Sequence, residues 1–152
     1  MNAERVTAKL EGDYVVFLIG MRVNAWWKPW RYLPVVMAMP RMLRELAQHP
    51  ELGYLGGEGF FGRTTLMIQY WRSNEQLHAF ARSATSTHLP AWKEFYQAAR
   101  GGDVGIWHET YPVRAGEYEN VYVAMPPFGL SKVGALETPR KHKPKAPALV
   151  EA

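Results

Sequence analysis

Apolar and polar positions along this chain fall into blocks of two different periods, and the blocks alternate. Tyr14 to Val23 is a near-continuous apolar run, rich in β-branched and aromatic residues and long enough for a buried strand. Asn24 to Pro34 holds Trp26, Trp27 and Trp30 between Pro29 and Pro34 and reads as an irregular loop. Val36, Met39, Leu43 and Leu46 then keep helical spacing up to Gln48, with Pro40 predicting a kink or a restart. Gly53, Gly56, Gly57, Gly59 and Gly62 punctuate a strand-like stretch from Leu52 to Phe61, and Thr64 to Trp71 completes a hairpin. Glycine at that density predicts bulges or close backbone approach. Ser73-Asn74-Glu75-Gln76 has the form of a capping box and starts a helix that runs to about Ser83.

After an interruption at Ala84 to Thr87, a helix begins near His88 and breaks at Gly101-Gly102; Val104 to Val113 is the last strand. Gly116 to Met125 extends that strand or returns beside it. The order is βαββαβ, an α+β pattern that folds as a ferredoxin-like unit with an antiparallel sheet and both helices on one face. From Gly129 periodicity fades, and Pro139 to Pro147 is rich in Pro and Lys. The expected organisation is therefore one domain over residues 1–130 and a flexible tail over 131–152.

Composition changes this picture in three places. At 152 residues and 47% hydrophobic, the chain makes one domain with a real core that is small for an enzyme building a pocket alone, so a homodimer is expected. The net charge of +4 is mostly a tail property. Arg140, Lys141, Lys143 and Lys145 against Glu151 leave +3 in the last 14 residues and +1 in the rest, which argues against nucleic acid as a partner of the folded part. Cysteine is absent, which excludes disulfides, thiolate nucleophiles and Cys-ligated metals and leaves histidine as the leading soft ligand. The polar start of the chain and its short apolar runs suggest a cytoplasmic protein with no membrane partner.

Two histidines carry the chemistry. From His88 to the Gly101-Gly102 break is roughly 20 Å of helix at about 1.5 Å per residue. From Gly102 to His108 is again about 20 Å of strand at about 3.3 Å per residue. A strand folding back along the helix brings His108 to the level of His88. His88 shares a helical stripe with Trp92, Phe95, Tyr96 and Ala99, while period-2 alternation groups His108 with Val104, Ile106 and Thr110, looking inward. Two imidazoles across one packed layer suit a flat iron cofactor, one as axial ligand and one as proton-handling group. A histidine on an apolar face also suits a core side chain bonded to a carbonyl, and spacing alone leaves both readings open.

Lesser candidates follow the same logic. Arg22 and Arg72, at strand ends, suit a carboxylate or a heme propionate, or plain solvation. Gln69, midway in an apolar strand, suits a pocket hydrogen-bond donor or a sheet-face polar group. The Trp26, Trp27, Trp30 and Tyr32 cluster suits a substrate mouth or an interface. Glu109 faces away from His108 and makes no dyad with it.

The pair His88-Leu89 opening a helix and His108-Glu109 on the next strand resembles the C-terminal part of the heme-containing aldoxime dehydratases. That resemblance implies heme b, with His88 as the proximal iron ligand and His108 as the distal acid-base residue; Trp92, Phe95 and Ile106, which share the faces of these two histidines, are the residues expected against the cofactor. Those enzymes also use a distal serine, for which no position here can be matched. Over residues 5–130 the chain resembles the monooxygenase-like members of the dimeric α/β-barrel superfamily, related to antibiotic-biosynthesis monooxygenases. The stretches that carry this are Val16 to Arg22, Met39 to Leu46, Gln69 to Arg72 and Gly105 to Tyr111. The same barrel hosts cofactor-free oxygenases, heme degraders, heme dehydratases and isomerases, so the fold is better specified than the reaction. The expected function is a heme-dependent oxygenase acting on a small hydrophobic substrate, by oxygenation or cleavage of an aryl alkene. The alternatives are an aldoxime dehydratase, a non-catalytic heme-binding protein and a cofactor-free monooxygenase.

Overall fold

The computed structural model describes residues 4–83, 96, 97 and 99–138. A short strand β1 (Thr7–Lys9) precedes the long strand β2 (Tyr14–Val23), which is followed by helix α1 (Pro29–Gln48). A 3-10 turn (Pro50–Leu52) leads into the hairpin of β3 (Tyr54–Phe60) and β4 (Leu66–Trp71), then helix α2 (Asn74–Arg82), strand β5 (Val104–Val113), a second 3-10 turn (Gly129–Lys132) and β6 (Ala135–Glu137). Residues 96, 97, 99 and 100, just before β5, are helical. The main sheet is antiparallel with order β3-β4-β2-β5, and β1 pairs with β6 in a separate ribbon. This is the ferredoxin-like order expected from the βαββαβ pattern.

Register fixes which residues share a face. Ile19 lies opposite Met67 and His108, Phe17 opposite Gln69 and Thr110, and Met21 opposite Ile106. Alternation therefore puts Val15, Phe17, Ile19, Met21, Met67, Gln69, Trp71, Ile106 and His108 on one face. Both described helices cover that face. Val35 of α1 packs with Met21 and Val104, with Ile106 beside them, and Leu46, Leu77 and Phe80 close over Val15 and Trp71. Each such side chain withdrawn from water contributes about 1.5–3 kcal/mol.

Helix α1 starts earlier than the pattern implies. Proline and tryptophan density predicts a loop to Pro34, but Pro29 takes the first helical turn, where its missing N–H costs nothing. Pro34 and Pro40 lie inside the helix without ending it. Both are on the exposed side, and burial of Val35, Met42 and Leu46 on the other side holds the helix together. Helix α2 begins where the capping box places it, with the Ser73 hydroxyl accepting from Gln76 N at 3.2 Å.

The dense glycines do what was expected of them. The β3–β4 register shifts between Tyr54 and Gly56, and Gly56 has φ +153°, a conformation few side chains adopt. At Gly57 a Cβ would run into the Ile68 carbonyl and crowd the Tyr54 hydroxyl. Gly116 to Met125 neither extends β5 nor joins the main sheet; Tyr122 forms an isolated bridge with Val6, beside β1.

Ordered structure also runs past the boundary drawn at residue 130. Leu130 and Ser131 are buried, and β6 pairs with β1 through Glu137. Residues 139–152, most of the expected tail, lie outside the described residues.

Candidate active site

Two narrow clefts, of about 50 and 40 Å³, open between the helices and the sheet. The first lies between α1 and the β3–β4 edge, lined by Met21, Val35, Val36, Phe60, Phe61 and Met67 among others. The second lies between α1 and α2, lined by Phe17, Met42, Leu46, Gln69, Trp71 and Phe80 among others. Ile19 and Met39 line both, so the two clefts adjoin. Their walls are apolar almost throughout, and Gly59 contributes no side chain on the β3 side. Phe61, 82% exposed, stands at the outer rim.

Gln69 is the polar exception. It is only 5% exposed. Its carbonyl oxygen accepts from Trp71 Nε1 at 2.9 Å, and its amide nitrogen donates to the Met67 thioether at 3.3 Å. Residues two apart on a strand point the same way, so Met67, Gln69 and Trp71 form one row along β4. Trp71 is held in turn by Tyr54 at 5.5 Å and Phe80 at 5.7 Å between ring centroids. Burial, reinforced by the Glu58 carboxylate, pushes the Tyr54 hydroxyl above its ordinary pKa, so that group stays neutral.

His108 sits on the face the alternation assigns to it, opposite Ile19 and with its ring 5.8 Å from that of Phe17. The expectation that it looks inward needs one correction, because the residue is exposed. Strand β5 is the sheet edge, and the described core over it ends at Ile106, against Met21 and Val35. His108 and Gln69 are two strands apart, or about 10 Å at about 4.8 Å per strand. Phe17 and Ile19 form the floor between them.

Other expectations divide cleanly. His88, Trp92 and Phe95 lie outside the described residues, and Tyr96 is exposed. Arg22 and Arg72 share the parity of Gly20 and Tyr70 and so lie on the opposite face of the sheet, away from the cleft. There Arg22 donates to the Thr64 hydroxyl at 2.9 Å, and Arg72 lies 3.4 Å from the Glu11 carbonyl. Glu109 likewise faces away and accepts from the Tyr111 hydroxyl, as its alternation requires. Met42, Phe60 and Phe61 were not singled out from sequence, and Met39 was read only as an apolar position of the helix. The one available signal was the phenylalanine pair following a glycine-rich strand.

The donor set bears on the cofactor. Among the described residues no group of three or more His, Cys, Asp or Glu side chains stands ready for a bare metal ion. A single imidazole beside flat apolar walls suits a porphyrin, which brings four nitrogen ligands of its own and asks little more of the protein than an axial ligand and a dry slot. The described residues offer such a group apolar walls; the axial ligand expected from the sequence, His88, lies outside them. No helix among them is long and apolar enough to cross a membrane.

Relatives agree with the architecture. Monooxygenase af470 of Aspergillus fumigatus is 30% identical over 131 residues, covering 80% of this chain and 46% of that protein. The crystal structure of aldoxime dehydratase OxdRE in complex with butyraldoxime superposes with a TM-score of 0.70 at 19% identity, over 88% of this chain and 41% of the enzyme. SnoaB, a cofactor-independent oxygenase from Streptomyces nogalater, matches more loosely, with a TM-score of 0.47 at 16% identity over 70% of this chain and 99% of its own. The chain thus spans less than half the length of the first two. Residues 14–130, which hold the whole main sheet and both clefts, match the family described as Monooxygenase af470-like. The chain belongs to the monooxygenase af470-like family.

Proposed function

We propose that this chain is an oxidoreductase of the oxygenase type that uses heme b to oxygenate or cleave a small hydrophobic substrate, an aryl alkene being the type considered. The observation that carries the reading is the pair of apolar clefts on the helix face of the sheet, with His108 exposed on that same face beside Phe17. Family membership supports the oxygenase chemistry, and the resemblance at His88-Leu89 and His108-Glu109 supports heme. Heme, when bound, supplies an iron centre able to activate oxygen or peroxide.

The chain's own residues do the rest. Phe17, Ile19, Met39, Met42 and Phe80 exclude water and hold an apolar molecule against the sheet. His108 holds or passes a proton at its imidazole, and its exposure gives that proton a route to solvent. His88 is proposed as the iron ligand on the strength of the His-Leu resemblance, with Trp92, Phe95 and Ile106 beside the ring. A dehydratase acting on an aldoxime is the second reading, favoured by the extent of the superposition with OxdRE.

A homodimer belongs to the same proposal. On the face away from the helices, Leu18, Leu66, Ile68 and Trp107 are only half-buried, and Tyr111 is exposed. A second copy laid on that face would remove this apolar surface from water.

The test is a hemin titration followed by turnover under labelled dioxygen. A Soret band that saturates at one heme per chain, with label in the aryl product, is the expected result. Absence of a Soret band ends the heme reading. A nitrile formed from an aldoxime with no label incorporated moves the assignment to the dehydratase.

A further inference from the structure

We propose that Gln69 is the polar anchor of the cleft: its amide nitrogen donates a hydrogen bond to the one acceptor oxygen of an otherwise apolar, aryl-sized ligand. This rests on the reading of the cleft as the substrate site, and it narrows the substrate class from hydrophobic to hydrophobic with a carbonyl-like or phenol-like oxygen.

The orientation of the amide is settled by its neighbour. An indole nitrogen can only donate, so the Trp71 Nε1 contact at 2.9 Å fixes the oxygen of Gln69 toward Trp71 and its nitrogen toward the other side. That nitrogen carries two hydrogens, and its partner is a thioether, a weak acceptor, at 3.3 Å. A side chain 95% withdrawn from water thus holds donor capacity that the protein itself uses poorly, on the wall of a cleft whose other lining side chains are apolar apart from the Trp71 indole. A ligand oxygen reaching that nitrogen replaces a weak bond by a good one in a low-dielectric site. A ligand of the same shape without the oxygen gains nothing there, which is how a buried donor discriminates. Trp71, wedged between Tyr54 and Phe80, keeps the amide from turning.

Calorimetric titration of the protein with acetophenone and with α-methylstyrene, equal in shape and differing in the oxygen, tests this without turnover. The ketone should bind about 10-fold more tightly, the ratio expected of one added hydrogen bond. Gln69→Met should bring the ratio to about one. Because that change also strands the Trp71 N–H, Met67→Leu is the companion. It removes the competing thioether, keeps the Gln69–Trp71 bond, and should raise the ketone preference. Equal affinities in the unaltered protein, or a preference that survives Gln69→Met, overturn the role of Gln69 and leave the cleft reading intact. No binding of either compound overturns both.

Discussion

The two faces of the main sheet are built from the same strands and close in opposite ways. On the helix face, methionines, phenylalanines and leucines from β2, β3, β4 and both described helices meet around Ile19 and leave room between them. On the other face, one end is sealed by the β1–β6 ribbon over a cluster of Tyr14, Tyr70, Tyr118 and Tyr122. Tyr14 and Tyr118 meet edge to face at 5.2 Å, and the Tyr118 hydroxyl accepts from Leu10 N at 2.8 Å. Asn120 exchanges a pair of hydrogen bonds with the Ala8 backbone at 2.6 and 2.8 Å. Rings with polar tips can be closed tightly where a tip finds a backbone partner, as Tyr118 does at Leu10 and Tyr70 at Leu130. Flexible thioethers and plain rings close loosely, and looseness is what a ligand site requires.

The largest effect should come from the residue on which the helix face converges. Trp71 is 1% exposed, and Trp71→Ala should cost about 3–5 kcal/mol, read as a lowered denaturant midpoint. Next, His108→Ala should lower turnover by about 100-fold with heme still bound, since an exposed edge residue contributes to proton movement and little to packing. His88→Ala should instead remove or alter the heme spectrum. Equal heme loss in both variants would indicate two histidine ligands and a non-catalytic role.

On the sealed face, Tyr118→Phe should cost about 1–2 kcal/mol and leave ligand binding untouched, because Leu10 N loses its acceptor. If ligand affinity falls as well, the two faces are coupled and the comparison fails. The smallest effect is in alkaline stability. Burial, then the neighbouring Tyr118, Tyr70 and Tyr122 hydroxyls, raises the Tyr14 pKa well above its ordinary 10.0. The folded state then keeps a proton that the unfolded chain releases. Stability should be fully present below about pH 10 and decline above it, and Tyr14→Phe should flatten that decline.

Period-2 alternation made much of this legible in advance. It placed His108 with Ile106 and Glu109 on the far side, and the register of β5 against β2 agrees with both. The start of α1 was not legible, since proline and tryptophan speak for a loop and only tertiary burial of Val35 outweighs them. Strand β6 was hidden for another reason. It is three residues long, exposed, and paired with a strand about 130 residues away, so no local pattern marks it. The cleft itself is a gap between elements, and a gap leaves no period in the sequence.

The chain's three isoleucines, Ile19, Ile68 and Ile106, make the most direct test available. Ile19 lines both clefts and Ile106 shares its face, whereas Ile68 points to the opposite face from the neighbouring strand. In a methyl NMR spectrum of isoleucine-labelled protein titrated with acetophenone, the Ile19 signal should shift most, Ile106 less, and Ile68 least. A shift largest at Ile68, or none at Ile19 while the ligand binds, would place the site elsewhere and contradict the account.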